Sequence, residues 1–175
     1  MGLMSGSIPM MAIQLDALRV GDQLLLNFTP ILDLTELRGD DTDDDGGGGQ
    51  ADRAYWEKKV GAGLMSLSDE ILGMINGSAT TPQEFNYLRG YIGLQSNGVV
   101  KNFIHLSPKR TKKFVHVVFR NSNAAAWKDR FEEVGVPVSS KRAKRFRITV
   151  TNEKFAENKE LIGEAIAESV KEFEQ

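Results

Sequence analysis

Eight basic side chains fall in two short runs suited to holding phosphate. Lys109, Arg110, Lys112 and Lys113 lie in Ser107–Lys113 (SPKRTKK). Lys141, Arg142, Lys144 and Arg145 lie in Ser139–Arg145 (SSKRAKR). Lysine and arginine on loops make phosphate contacts that are strong, salt-sensitive and independent of base sequence. A single basic loop is usually only a solvated surface. Two of them, set between acidic flanks, point to a polyanion. If the strands they serve enter the sheet from the same edge, the eight charges form one patch, with Arg120 and Arg147 in support. Tyr91, Phe103 and Phe114 add base stacking if they face outward and are core residues if they do not.

Other chemistries find less support. The two histidines, His105 and His116, sit on consecutive predicted strands with no acid near them in sequence. A metal site needs three or four ligands, so ordinary strand residues are the expectation. There is no cysteine for a thiolate ligand, a nucleophile or a disulfide. No G-x-S-x-G, P-loop or G-x-G-x-x-G is present. Gly90-Tyr91-Ile92-Gly93 resembles half of the GIY-YIG nuclease signature. Its first tripeptide is replaced by Tyr87-Leu88-Arg89, and a hairpin follows where that family has a helix. Glu57-Lys58-Lys59 resembles the E-x-K end of a restriction-type nuclease site, but on a helix rather than a strand. No catalytic residue, cofactor or metal is therefore expected.

The 175 residues suit one domain with tails, and 41% hydrophobic content is enough for a core. No run approaches the roughly 20 apolar residues of a membrane helix. Met1–Ala12 has no basic start, so no signal peptide is expected, and the lack of cysteine fits a cytoplasmic protein. The net charge of -2 conceals a strong asymmetry. Residues 1–55 carry -7, 56–100 carry -1, 101–150 carry +10 and 151–175 carry -4. Counterions screen charge beyond about 8 Å, so the +10 segment can attract a polyanion by itself.

The elements that must position these residues follow from periodicity. Met1–Met11 reads as an uncharged leader. Gly21-Asp22 reads as a turn before a strand at Gln23–Phe28 that Pro30 closes, with a second extended piece at Ile31–Leu37. This region is too short for its own core, so it docks on the main domain, pairs with another chain, or stays loose. Gly39–Gln50 (GDDTDDDGGGGQ) reads as an acidic, flexible linker. Asp52–Asn76 is a helix capped by Asp52, with Trp56, Val60, Leu64, Leu67, Ile71 and Ile75 on one stripe. Asn76-Gly77 ends it. Phe85–Gln95 is apolar and aromatic, Asn97-Gly98 is a hairpin turn, and Val99–Leu106 is the partner strand. Phe114–Arg120 is the third strand. Ala124–Val134 is a helix with Trp127 and Phe131 on one face, stopped by Gly135. Phe146–Thr151 alternates as a fourth strand, and Asn152–Phe173 is a last helix carrying Phe155, Ile162, Ile166, Val170 and Phe173. The expected fold is α+β with two layers. A mainly antiparallel four-stranded sheet has helices packed on one face, in the order α-β-β-β-α-β-α. Its other, less apolar face is a candidate working surface. The domains are 1–38, the linker 39–50, and 51–175.

From Ala51 onward the chain resembles an uncharacterised small bacterial domain found at the C-termini of predicted nuclease or restriction-type proteins. The features that carry the resemblance start with Asp52-Arg53-Ala54-Tyr55-Trp56-Glu57-Lys58-Lys59 and Tyr91-Ile92-Gly93-Leu94. Asn102-Phe103, Ser107-Pro108-Lys109 and Phe114–Arg120 follow, then Phe131-Glu132-Glu133-Val134-Gly135 and Arg145-Phe146-Arg147-Ile148. The resemblance implies an accessory recognition role in DNA metabolism or phage defence, and supplies no catalytic motif. The expected function is a non-enzymatic nucleic-acid-binding or targeting module. The alternative is a protein-interaction or homo-oligomerisation module acting through residues 23–37.

Overall fold

The computed structural model describes residues 11–20, 23–33 and 51–174, with the side chains of 11–33, Lys141 and Arg142 left aside. The chain divides into two units, Met1–Gly48 and Gly49–Gln175. The expected leader Met1–Met11 lies outside the described residues except for Met11, which is strand, as do the turn at Gly21-Asp22, the part of the Ile31–Leu37 piece beyond Asp33, and the acidic linker.

The described residues of the first unit form an antiparallel ribbon of β1 (Met11–Val20) and β2 (Gln23–Asp33). Gln23–Phe28 thus pairs with the segment just before it, and Pro30 does not close the strand. The register shifts between Ala12 and Ile13, so that Ile13 pairs with Pro30 and Ala12 with Leu32. A two-stranded ribbon gives each strand an outer edge, and proline is tolerated at such edges and at bulges.

The second unit opens with Asp52, whose carboxylate accepts from the Tyr55 N–H at 2.7 Å. The predicted single helix is two, α1 (Arg53–Val60) and α2 (Ala62–Ser78). Gly61 separates them at φ 88°, ψ 158°, a region essentially reserved for glycine. All six residues of the predicted stripe are still buried, as is Met65. Arg53 ties the two helices together by donating to both Asp69 oxygens at 2.9 and 2.7 Å. Asn76 does not end α2. Its side chain instead brackets Gln83, accepting from the N–H at 2.7 Å and donating to the carbonyl at 3.0 Å.

Among the described residues the sheet is larger than predicted, with seven strands in place of four. They are β3 (Glu84–Tyr87), β4 (Ile92–Ser96), β5 (Val99–Val100), β6 (Ile104–Lys109), β7 (Phe114–Arg120), β8 (Val138–Arg142) and β9 (Arg145–Val150). The lateral order is β3-β4-β6-β7-β9-β8, with β5 paired to β4. The extra strands come from segments read as single pieces or as loops. Phe85–Gln95 folds back on itself as β3 and β4. Val99–Leu106 contains a tight turn at Lys101–Phe103, where the Phe103 N–H donates to Lys101 O. The Asn97-Gly98 turn forms as expected, with both residues at positive φ.

Helix α3 (Ala124–Glu133) links β7 to β8, and Gly135 at φ 70° follows it. The last helix is again two, α4 (Asn152–Glu157) and α5 (Lys159–Phe173), capped by Thr151 rather than Asn152. The Thr151 hydroxyl accepts from the Lys154 N–H at 3.2 Å. Alternate sheet residues join one hydrophobic cluster with the helices. Ile92, Leu94, Ile104, Leu106, Val115, Val117, Phe119, Phe146, Ile148 and Val150 are all at most 1% exposed. Phe119 stacks on Phe146 at 4.7 Å, and Trp127 of α3 stacks on Phe146 at 6.4 Å. Among the described residues no helix is long and apolar enough to cross a membrane.

Gly61→Ala should destabilise the protein by about 1–3 kcal/mol, since a Cβ meets no atom there but cannot sit easily at that φ and ψ. Urea unfolding with an unchanged slope and a lower midpoint is the expected result.

Candidate nucleic-acid interface

Strand pairing fixes which side chains share the second face of the sheet. Within a strand, residues two apart lie on one side, and directly paired residues point the same way. The core takes Ile104, Leu106, Val115, Val117, Phe119, Phe146 and Ile148. The intervening residues therefore form four rows across β6, β7, β9 and β8. Lys109 faces Phe114. Ser107, His116 and Thr149 form the next row. His105, Val118, Arg147 and Ser139 form the third, and Arg120 faces Arg145 in the fourth. Most of these side chains are half-buried, Arg120 is exposed and His116 is buried.

Two aromatic pairs stand on this face. The Tyr91 and His105 rings are 5.1 Å apart, and those of Phe114 and His116 are 4.6 Å apart. His116 Nδ1 lies 2.9 Å from the Thr149 hydroxyl across the strand, which fixes its ring. Gly93 makes room for the first pair. A Cβ there would collide with Asn102 Oδ1 and meet the Tyr91 ring at 3.3 Å. Asn102 accepts from the Leu94 N–H and donates to the Tyr91 hydroxyl, both at 3.3 Å, and so positions the tyrosine. Gly90-Tyr91-Ile92-Gly93 thus lies at the turn into β4 and along it, where its second glycine serves close packing.

The two basic segments do not form one patch. Ser107–Lys109 belongs to β6, and the connection proper is Arg110–Lys113, with Lys113 at φ 51°. Ser139–Arg142 belongs to β8, an edge strand, leaving only Ala143-Lys144 as the turn into β9. The first turn adjoins the Val115–Val150 end of the sheet, the second the Arg120–Arg145 end. Five residue steps of about 3.3 Å put roughly 17 Å between those ends, twice the screening length of about 8 Å. The condition for a single patch is not met, because β7 and β9 are antiparallel. The same arrangement makes the polar face a path with cations at both ends, with Lys109–Lys113 at one and Arg120, Lys144, Arg145 and Arg147 at the other. No carboxylate of the described residues pairs with Lys109, Arg110, Lys112, Lys113 or Lys144. Arg147 donates to the Ser139 hydroxyl at 3.2 Å.

The remaining candidates are placed elsewhere. Phe103 is 2% exposed and stacks on Phe173 at 4.4 Å, so it is core and not a stacking platform. His105 and His116 are diagonal neighbours on one face, and the described residues include no group of three or more His, Cys, Asp or Glu able to hold a metal. Glu57 lies on α1 and accepts from Arg53 at 2.7 Å, while Lys59 sits over the Tyr55 and Trp56 rings. Asp69 and Glu57 hold the Arg53 guanidinium protonated beyond its ordinary range, and burial pushes the Tyr87 phenol up. Both groups lie at the α1–α2–β3 corner. Three glutamates of α5, and Glu174 just after it, bond to neighbouring elements. Glu168 and Glu172 accept from Asn123 and from the Ser122 N–H and hydroxyl, Glu164 pairs with Arg130, and Glu174 accepts from Thr80. Sequence reading missed the Gly93–Asn102–Tyr91 packing. The signal was there in a lone glycine within a strand, which often marks close approach.

Gly93→Ala should lower the melting temperature measurably, and the same change in an Asn102→Ala background should cost less. A thermal-melt double-mutant cycle reads that coupling, and simple additivity would show that Asn102 is not what the Cβ meets. The chain matches no protein-family model, no curated protein and no solved structure.

Proposed function

We propose that this chain is a non-enzymatic nucleic-acid-binding or targeting module whose contact surface is the polar face of the sheet. In this reading the helices pack on the other face alone. The observation that carries it is the row pattern itself. Cations flank both ends of a face that also carries aromatic rings and hydroxyls. Cations spaced along strands suit a phosphate backbone, which repeats its charge at regular intervals. Glu164, Glu168 and Glu172 of α5 and the following Glu174 are engaged with Arg130, residues 122–123 and Thr80, which favours approach of a polyanion from the sheet side. The resemblance to an accessory domain of nuclease or restriction-type proteins agrees with a targeting role in DNA metabolism or phage defence.

The test is fluorescence anisotropy with labelled oligonucleotides at about 50 and 200 mM salt. With four phosphate contacts, affinity for duplex should fall by about two orders of magnitude over that range. Changing Lys109, Arg110, Lys112 and Lys113 to glutamine, or Arg120, Arg145 and Arg147, should each weaken binding and flatten the salt dependence. Affinity unaffected by both sets would sink the proposal.

A second reading rests on the first unit. Among the described residues its sheet has two strands, and an isolated two-stranded hairpin is marginally stable in water. Addition of a partner's strand, or of a second copy, along the outer edge of β2 would complete it. Sedimentation should then show size rising with concentration and lost on removal of residues 1–37. A constant monomer in both forms would dismiss this reading.

A further inference from the structure

We propose that the polar face binds single-stranded nucleic acid, with one base stacked on the Tyr91–His105 pair and another on the Phe114–His116 pair. This rests on the nucleic-acid reading above and names its substrate class.

The argument begins with what the rings cost. Tyr91 and Phe114 are half-buried on the face away from the core. The apolar cluster takes the other alternate positions of these strands. Leaving rings there forgoes burial that the core face would supply. Each ring is also held. Asn102 and the bare backbone at Gly93 seat Tyr91, and His116, fixed by Thr149, flanks Phe114. A held ring loses little freedom when a base stacks on it, so more of the stacking energy appears as affinity.

The spacing suits more than one base. Ile92 pairs with Leu106, which places Tyr91 level with Ser107 on β6. Phe114 pairs with Lys109, one strand further and two residues along. With strands about 4.8 Å apart and residues about 3.3 Å apart, the two platforms are roughly 12 Å apart across the sheet. Lys109 lies directly beside Phe114, so a phosphate next to a stacked base meets a cation. Arg147 and Arg120 continue the charged path past His105 and Val118.

A duplex cannot use these features. Its bases hide their π-faces in the helix, whereas an unpaired strand can splay them onto aromatic side chains. Stacking tolerates any base, because every base has a π-face. The Asn102 amide is already committed to Leu94 and Tyr91. RNA and DNA present the same stacking faces and phosphates, and the shared ligand is the unpaired strand.

The experiment uses the full chain and labelled mixed-sequence 12-mers of DNA and RNA, single-stranded and duplex, at about 50 mM salt. Single strands of at least one sugar type should bind tenfold or more tighter than the matching duplex. Tyr91→Leu and Phe114→Leu should each weaken single-strand binding roughly tenfold, within the range for losing one stacked base, and leave the salt slope unchanged. Tyr91→Phe and Phe114→Tyr keep a ring and should bind within about twofold of the parent. They guard against reading misfolding as lost stacking. Equal affinity for single and double strands, or leucine variants that bind single strands normally, would overturn the proposal while leaving a phosphate-binding surface. No binding of any of the four nucleic acids would overturn this proposal and the nucleic-acid reading together.

Discussion

The alternation along β7 is the constraint on which the second unit depends. This strand is hydrogen-bonded on both sides, to β6 and to β9. Its pleat sends Val115, Val117 and Phe119 to the core and Phe114, His116, Val118 and Arg120 to the opposite face. A slip of one residue would exchange the two sets. It would bury Arg120 without a partner and expose three apolar residues, each worth on the order of 1.5–3 kcal/mol when buried. Register, core composition and the chemistry of the polar face are therefore one decision. The neighbouring strands inherit it, since Leu106 and Ile148 flank Val117, and Ser107 and Thr149 flank His116.

Helix α3 turns that register into a topology. Strands β7 and β8 run parallel, because each is antiparallel to β9. A parallel connection needs a crossover, and α3 supplies it. The return strand β9 then fills the gap between them. Trp127 and Phe131 anchor the crossover on Phe146, at 6.4 and 6.0 Å. Arg130 lies 4.4 Å from the Trp127 ring and also reaches Glu164, joining α3 to α5. That exposed ion pair contributes little by itself. The aromatic stack is the stronger tie.

Local signals in the sequence were enough for much of the fold. The 3.6-residue stripe located α1–α2 and its buried residues, the alternation of Phe146, Ile148 and Val150 located β9, and Asn97-Gly98 located a turn. These are short-range properties of side-chain size and backbone freedom. Breaks inside helices were less legible. Gly61 sits inside the helical stripe and only its backbone at φ 88° shows the break, and Asn158 gave no warning that it divides α4 from α5. The density of cations at 101–150 was also plain from sequence. Where those cations stand was not. Pairing between β7 and β9 joins residues about 30 positions apart, and its direction is set by a crossover helix and a return strand, not by any residue near Lys109 or Lys144. Only the tertiary structure could place the two basic turns at opposite ends of one face, and set the rings of Tyr91 and Phe114 on that same face.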